Sequence, residues 1–235
     1  VVARHRPSEL VELGSGSSRK TVTLLDAMAD AGTLMRFVPF DVAPSVLVEA
    51  SGRLAERYPD LEIHAVAGDF DHHLTTIPPR PADGRRLIAF LGGTIGNLLP
   101  AERRAFLRTL RSLLRTGDRL LIGVDLIKDV ATLEAAYNDS AGVTAAFNLN
   151  VLTVINNALG ADFDLSRFAH RAFYDERHEW IEMRLAASGT QRITVESLGI
   201  ERTFGDGESL RTEVAESVEP PEVSKPSRIV MPIEE

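Results

Sequence analysis

Residues 11–20, Val-Glu-Leu-Gly-Ser-Gly-Ser-Ser-Arg-Lys, end an apolar strand with an acid and continue into a turn that contains Gly14 and Gly16. Glycine has no Cβ, so this turn can bend tightly and approach a ligand closely. The helix predicted to follow offers unpaired backbone N–H groups to that ligand. The stretch therefore predicts a nucleotide-cofactor turn; the alternative is a tight strand-to-helix connection that binds nothing.

The spacing within this turn separates two classes of cofactor. The dinucleotide pattern G-x-G-x-x-G requires a sixth-position glycine, where the chain has Arg19. Enzymes that use S-adenosylmethionine (SAM) favour an acid two residues before the first glycine, and Glu12 supplies it. Their usual third glycine is Ser18 here. The match is imperfect for both classes, and the turn alone leaves both open.

The first half of the chain alternates strand-like and helix-like patterns in the order of βαβ units. The helical stretches span about 20–31, 44–57 and 102–115, and the apolar runs cover 10–13, 37–40, 63–67, 87–91 and 120–124. Continuous apolar strands indicate burial on both faces of a sheet. The predicted fold class is therefore α/β, with a doubly wound, Rossmann-like parallel sheet.

The pattern changes after Asp125. An apolar stripe ending at Tyr137 and a helix over 143–159 precede strand-like stretches at 168–174, 180–185, 191–195 and 210–215. This order predicts a smaller α+β module, used as a lid or for the substrate. The proline-rich tail is typical of a poorly ordered segment. The predicted domains are thus 1–126 for the cofactor, 127–215 for the substrate, and 216–235 as the tail.

Composition excludes several classes of function. The net charge of −8 and the scattered Lys and Arg residues argue against a nucleic-acid partner. The chain has no cysteine, which suits a cytoplasmic protein and excludes thiolate chemistry. No apolar run is long enough to span a bilayer, and His72-His73 indicates exposed loop histidines rather than a metal site. We expect the protein to be a monomer. We also expect that an upstream segment is missing, because the chain opens at Val1 and reaches its first strand within a few residues.

Polar residues or glycines follow each predicted strand of the first half, where open parallel sheets bind ligands. Asp41 follows the second strand and could accept hydrogen bonds from ribose hydroxyls, or only cap a helix. Asp69 and Phe70 follow the third and could contact an adenine, or Asp69 could fix its own turn. The glycine-rich run 92–97 follows the fourth and indicates close backbone approach, or local bends.

Two residues of the second half also attract attention. Tyr137 is a candidate site residue, but it lies on the apolar stripe of its helix, so it could instead be a tyrosine of the core. Strand alternation predicts that Glu213 shares a face with Arg211 and Ala215, and a solvated strand carboxylate is the alternative.

Eight segments in chain order resemble one known family, the SAM-dependent histidine Nα-methyltransferases of ergothioneine biosynthesis in actinobacteria and fungi. The segments are ELGSGSSRKTVTLLDAM, RFVPFDV, GDFDHHL, RRLIAFLGGTIGNLLP, GDRLLIGVDLIKD, AAYNDSAGVTAAFNLNVLTVINNALGADFDL, IEMRL and LRTEV. They run from Glu12 to Val214. The resemblance implies a class I methyltransferase fold, SAM as cofactor, and conversion of L-histidine to Nα,Nα,Nα-trimethylhistidine.

The resemblance also implies roles for individual residues. Asp41 would bind the SAM ribose, Asp69 and Phe70 would contact the adenine, and Gly14, Gly16 and Lys20 would lie in the cofactor loop and helix. Asn97 and Tyr137 would hold the amino-acid end of histidine as the catalytic pair, with Gly92 and Thr144 nearby. Met183 and Glu213 would form the imidazole pocket. No metal is implied.

Three departures from the family pattern bear on this expectation. The family has a segment before the position of Val1 that contributes a substrate tyrosine and part of the lid. It carries a serine where this chain has Ala215, which removes a donor or acceptor from the imidazole pocket. Its chain also returns to the sheet after the imidazole-binding glutamate, whereas this one is expected to run into the tail.

Alternative functions are therefore a SAM-binding remnant without a complete substrate site, and a methyltransferase for another small amino acid or amine. A nicotinamide dehydrogenase ranks last, because none of the three tyrosines has a lysine four residues on.

Overall fold

The computed structural model describes residues 1–218 and, as backbone, 229–231. The described residues divide into two compact units. Unit 1 comprises Val1–Val124 and the segment 229–231, and unit 2 runs from Asp125 to Val218. No described helix is long and apolar enough to cross a membrane.

Unit 1 is built on one mostly parallel sheet flanked by helices. Its strands are β1 (Glu9–Leu13), β2 (Arg36–Asp41), β3 (Glu62–Ile63), β4 (Val66–Ala67), β5 (Arg86–Phe90) and β6 (Arg119–Ile122), and its helices are α1 (Val2–His5), α2 (Val22–Asp30), α3 (Pro44–Arg57) and α4 (Pro100–Ser112). The spatial order is β6-β5-β1-β2-β3, with β4 also paired to β2, and all these pairs are parallel. The predicted α/β fold class is confirmed.

Alternate residues of the central strands enter two separate cores. Val11, Val38 and Ile88 pack in the core that includes Phe106 and Leu110 of α4. Their neighbours on the same strands, such as Leu10 and Phe37, pack in the other core, with Leu25 and Met28 of α2. Burial on both faces is the physical reason why these strands read as continuous apolar runs.

Unit 2 combines two helices with antiparallel strands. The elements are α5 (Val130–Tyr137), α6 (Val143–Leu159), β7 (Phe168–Asp175), β8 (Trp180–Ala187), β9 (Gln191–Val195), β10 (Ile200–Phe204) and β11 (Ser209–Glu216). Strands β11, β8 and β7 form one antiparallel sheet, and β9 and β10 form a hairpin. Leu152 of α6 packs with Phe168 and Leu185 of this sheet.

Several element predictions need correction. The stretch predicted as one strand over 63–67 is two short strands, and α1 and β10 were not predicted. Glu216 belongs to β11, and residues 229–231 form β12 (Ile229–Met231), which pairs antiparallel with β6. The chain therefore returns to the sheet, contrary to the expected departure from the family. The prolines and acids of the tail obscured its short apolar run in the sequence. The rest of the predicted tail, 219–228 and 232–235, lies outside the described residues.

Candidate functional site

The glycine turn after β1 is held against the end of β2. Gly14 and Gly16 adopt positive φ angles of 68° and 48°, which favour glycine. The N–H of Gly14 donates to the carbonyl of Phe40 at 2.8 Å, and the N–H of Gly16 donates to Oδ2 of Asp41 at 2.8 Å. The other Asp41 oxygen accepts from the N–H of Ala43 at 3.1 Å. Asp41 therefore connects the two strand ends, while Ala43 is the N-cap residue of α3.

Glu12 is a buried carboxyl at the base of this turn, with 5% of its surface exposed. Its Oε2 accepts a hydrogen bond from the hydroxyl of Thr21. Burial, with a smaller contribution from the Asp41 carboxylate, raises the pKa of Glu12 from 4.5 to about 7, against the lowering effect of the Thr21 bond. The strand therefore ends in an acid that is easily protonated.

A cavity of about 340 Å³ opens beside the turn. Its lining joins the loop after β1 to the end of β5, and consists of Glu12, Gly14, Ser15, Ser17, Ser18, Arg19, Lys20, Thr21, Leu91 and Gly92. Oγ atoms of Ser15 and Ser18 are buried and have no hydrogen-bond partner among the described residues. Buried polar groups normally have a partner, so these two hydroxyls are exceptions next to the cavity. The sequence analysis missed both serines, although they lie within the stretch that it quoted.

Asp69 bonds to its own turn. Its Oδ1 accepts from the N–H groups of Asp71 at 3.0 Å and His72 at 2.8 Å. The backbone bond from His72 is the main reason that the pKa of Asp69 is lowered. The sequence had left open that Asp69 fixes its own turn, and the structure shows these bonds. The carboxylate is partly exposed, so it can accept further hydrogen bonds. His72 and His73 are both exposed. No cluster of metal-binding side chains occurs among the described residues.

Phe70 lies between the glycine turn and the core of unit 1. Its ring stacks on Phe40 with centroids 5.7 Å apart and meets Phe90 edge-on at 5.3 Å. A Cβ built on Gly14 would lie 3.6 Å from the Phe70 ring. The ring therefore forms the floor beneath the turn, so it has a packing role in addition to any contact with a ligand.

The glycine-rich run after β5 is a left-handed turn followed by a 3-10 turn. Gly92 and Gly93 have φ angles of 86° and 78°, and the 3-10 turn spans Thr94–Asn97. A Cβ on Gly123, which follows β6, would lie 3.2 Å from the backbone nitrogen of Gly92. The close backbone approach predicted here therefore includes the neighbouring strand end. Asn97, at the end of the turn, is exposed.

A β-bulge decides which face of the unit 2 sheet carries Glu213. Arg211 is opposite Arg184, but Glu213 is opposite Met183, so β11 advances by two residues while β8 advances by one. Glu213 and Ala215 therefore share a face with Met183. Arg211 lies on the other face, where its guanidinium is 3.8 Å from the Glu182 carboxylate. The prediction that Arg211 shares the face of Glu213 is wrong, because simple alternation fails across a bulge.

Tyr137 ends α5 and is half-buried. Desolvation raises the pKa of Tyr137, and the carboxylates of Asp125 and Glu213 raise it further. The hydroxyl therefore stays protonated near neutral pH and can donate a hydrogen bond. The charge of Glu213 thus acts on the hydroxyl of Tyr137, a second predicted substrate residue of unit 2.

Thr144 belongs to the first turn of α6, and its backbone N–H donates to Oδ1 of Asp139 at 2.7 Å. The N–H of Val143 donates to the other Asp139 oxygen at 2.9 Å. These bonds cap the helix and, with the Thr144 hydroxyl, lower the pKa of Asp139 to about 2. Thr144 thus has a structural role in the helix cap, and its place in the substrate site stays a prediction.

Comparisons with known proteins agree on one family. The family model described as "Histidine-specific methyltransferase, SAM-dependent" matches residues 1–225. A histidine N-alpha-methyltransferase of Mycolicibacterium smegmatis is 52% identical over 92% of this chain and 66% of its own length. Ergothioneine biosynthesis protein 1 of Neurospora crassa is 28% identical over 80% of this chain and 23% of its own.

A solved structure, the glycopeptide N-methyltransferase MtfA with SAM, is 25% identical over 51% of this chain and 45% of its own, with a TM-score of 0.37. That similarity is too low to bear on the arrangement described above. The chain spans about two thirds of the length of the mycobacterial relatives, 66% in each case. Because the family model covers nearly all of the sequence, the chain belongs to the SAM-dependent, histidine-specific methyltransferase family.

Proposed function

We propose that this chain binds SAM at the carboxyl ends of the unit 1 strands and methylates the α-amino group of L-histidine, giving Nα,Nα,Nα-trimethylhistidine for ergothioneine biosynthesis. Membership of the family carries this proposal. The mycobacterial relatives are named for histidine Nα-methylation and the fungal one for ergothioneine biosynthesis. We propose further that the enzyme acts as a cytoplasmic monomer.

The residues around the glycine turn suit SAM. The carboxyl of Glu12 and the hydroxyls of Ser15 and Ser18 are buried polar groups of residues that line the cavity, and neither hydroxyl has a partner within residues 1–218. The absence of a Cβ at Gly14 and Gly16 keeps the backbone open for close approach. Asp41, which already holds the turn through Gly16, has two oxygens that can also accept ribose hydroxyls. Lys20 lines the same cavity.

When bound, SAM supplies a methyl group on a positively charged sulfonium. The residues of the chain would orient the acceptor amine and exclude water, and such orientation is worth about 7–11 kcal/mol of barrier in favourable cases. A protonated amine has no lone pair, so the pocket must bind histidine with its amine neutral or accept its proton. Three transfers also require space for the amine to rotate.

The proposed substrate contacts follow the family pattern residue by residue. Tyr137, whose raised pKa keeps a proton on the hydroxyl, would donate to the substrate carboxylate. Glu213 would accept a hydrogen bond from the imidazole N–H, with Met183 opposite it in the sheet. Asn97 would hold the amino-acid end, and Gly92 and Thr144 would line the site.

Ala215 favours a second candidate, a methyltransferase for another small amino acid or amine. Its side chain lies on the face of Glu213 and Met183 and offers only a methyl group. A substrate without a second ring nitrogen to satisfy would suit this face equally well.

Mass spectrometry of the protein with SAM and a panel of free amino acids tests the proposal. Histidine should give mono-, di- and trimethylated products, and Nα attachment should be confirmed by fragmentation. Methylation of another amino acid in preference to histidine would replace the first candidate with the second. Calorimetric binding of SAM with no response to any amino acid would indicate a remnant of a longer enzyme.

A further inference from the structure

Three hydrogen bonds attach the last turn of α5 to β7. Oε1 of Glu134 accepts from the N–H of Tyr174 at 2.9 Å, and Nδ2 of Asn138 donates to the carbonyl of Ala172 at 2.9 Å. The third joins Nε2 of His170 to the carbonyl of Tyr137 at 2.8 Å. Carbonyls at a helix C-terminus lack partners within the helix, so the bond from His170 satisfies one of them. It also fixes the backbone from which the Tyr137 ring projects.

The second nitrogen of His170 is bound to a buried amide. Nδ1 of His170 lies 2.9 Å from Nδ2 of Asn148, which is itself 3.2 Å from the carbonyl of Arg184. Asn148 is on α6 and only 1% of its surface is exposed. An amide nitrogen has two hydrogens and donates both here, so Nδ1 of His170 must be the acceptor. A flipped amide would place its oxygen against the carbonyl of Arg184, which repels it.

These contacts determine the tautomer of His170. With Nδ1 accepting, the ring proton is on Nε2 and is donated to the carbonyl of Tyr137. The ring therefore ties α6 to the end of α5. His170 is opposite Leu185 on β8, and Ala172, two residues on, is opposite Met183. The ring thus lies on the face of the sheet that carries Met183 and Glu213.

We propose that His170, oriented by Asn148, is a positioning residue that holds Tyr137 in place to receive the substrate carboxylate. The inference rests on the proposed function, because it assigns to His170 an effect on the binding of the amino-acid substrate. His170 acts through the backbone of Tyr137 and does not itself contact the substrate. SAM binding, which depends on unit 1 residues, should not involve it.

The test compares His170→Leu, which breaks both bonds, with His170→Gln, whose amide offers an acceptor and a donor in one group. His170→Leu should raise the KM for histidine about tenfold, as expected for one lost hydrogen bond, with a smaller change in kcat. His170→Gln should recover part of this loss. The control is His64→Leu, the same substitution at an exposed position of unit 1, which should leave KM unchanged. In all variants the Kd for SAM should stay within about twofold of the parent.

A double-mutant cycle separates positioning from a general structural role. Because His170 acts through Tyr137, His170→Leu should change the KM for histidine little once Tyr137→Phe is present. Full additivity of the two effects would overturn the proposal. An unchanged KM in folded His170→Leu would do the same.

Long-range ¹H–¹⁵N NMR of the unsubstituted chain provides a readout that needs no substrate. The ring proton of His170 should be found on Nε2, and Asn148→Leu, once shown to be folded, should weaken that preference. An Nδ1–H or doubly protonated ring would refute the hydrogen-bond relay whatever the enzyme methylates. A parent chain that methylates and binds no histidine, yet shows the Nε2–H ring, would refute the proposed function and the role in substrate binding while leaving the contact itself intact.

Discussion

Single side chains at the strand ends of unit 1 combine structural and ligand-binding chemistry. Asp41 is the clearest example, because the N–H groups of Gly16 and Ala43 already occupy its two oxygens. A carboxylate oxygen can accept more than one hydrogen bond, so these contacts orient the group and leave capacity for a ligand. The same side chain can thus hold the turn and bind the ribose.

Asp41→Ala should weaken SAM binding by about 100-fold, because two charge-assisted hydrogen bonds to ribose and the support of Gly16 are lost together. Isothermal titration measures the change. Asp71→Ala, at an exposed position near Asp69, is the matched control and should bind SAM as the parent does. Unchanged affinity in Asp41→Ala would remove the ribose assignment.

Glu213→Gln should reduce the affinity for histidine about tenfold or more, because a neutral amide replaces the charged acceptor for the imidazole N–H. The affinity for SAM should remain close to that of the parent. Both are measured by titration, histidine in the presence of SAM. Glu201→Gln, an exposed strand position in unit 2, serves as the control. Equal loss of both affinities would show that Glu213 is structural.

Glu12 predicts a pH dependence of stability in the ligand-free chain. Its pKa is 4.5 in an unperturbed setting and about 7 in the fold, so the folded state keeps a proton that the unfolded state has lost between these values. The protonated form therefore contributes its full stability below about pH 4.5. As the pH rises through 7 this contribution is lost, and the free energy of unfolding falls by about 2–3 kcal/mol.

Urea unfolding of Glu12→Gln against the parent at several pH values checks this. The difference in free energy of unfolding should shift in favour of the variant by that amount between pH 5 and pH 8. A difference that does not change with pH would mean that the folded carboxyl is ionised throughout.

At the scale of elements, helix ends and strand irregularities decide where the unit 2 residues lie. Asp139 holds the N-terminus of α6 through the N–H groups of Val143 and Thr144. The bulge between Arg211 and Glu213 places Arg211 with Glu182 on one face of the sheet and Glu213 with Met183 on the other. Both features fix the backbone next to predicted substrate residues, Thr144 and Glu213.

Asp139→Ala should lower the melting temperature of the chain, because two backbone donors at the start of α6 lose their acceptor. Ser140→Ala, at the next and exposed position, should melt as the parent does. The pKa of Asp139 falls to about 2 in the fold, so its stabilisation is fully present above about pH 4 and is lost as the pH falls towards 2. Calorimetry from pH 5 downwards should show parent and variant converging; a constant difference would contradict this account.

At the scale of the whole molecule, a buried ion cluster lies at the end of the unit 1 sheet opposite the strand ends that carry the glycine turn. The carboxylate of Glu9 on β1 accepts from Arg36 on β2 and Arg86 on β5. Glu9 is fully buried and the two arginines nearly so. The cluster joins the three central strands, which fixes their alignment far from the cavity.

Glu9→Gln should destabilise the fold by about 3–5 kcal/mol, because it leaves two buried guanidinium groups without their shared charge. Arg192→Ala, which removes an exposed pair with Glu201, should change stability by only about 0–1 kcal/mol. Urea unfolding at pH 7 measures both. A small effect of Glu9→Gln would show that water reaches the cluster.

The amino-acid sequence by itself determined the βαβ order, the glycine turn after the first strand and the strand-end positions of Asp41, Asp69 and Gly92. Hydrophobic periodicity and glycine spacing are local properties, and chain order places the ends of parallel strands at one edge.

Only the tertiary structure decided that Arg211 and Glu213 lie on different faces of the sheet, that the buried hydroxyls of Ser15 and Ser18 have no hydrogen-bond partner among the described residues, and that residues 229–231 rejoin β6. The hydrogen-bond partners of His170, too, are evident only from the tertiary structure. Each depends on contacts between residues far apart in the chain, and a bulge or a buried hydrogen bond of this kind leaves no periodic signal in the sequence.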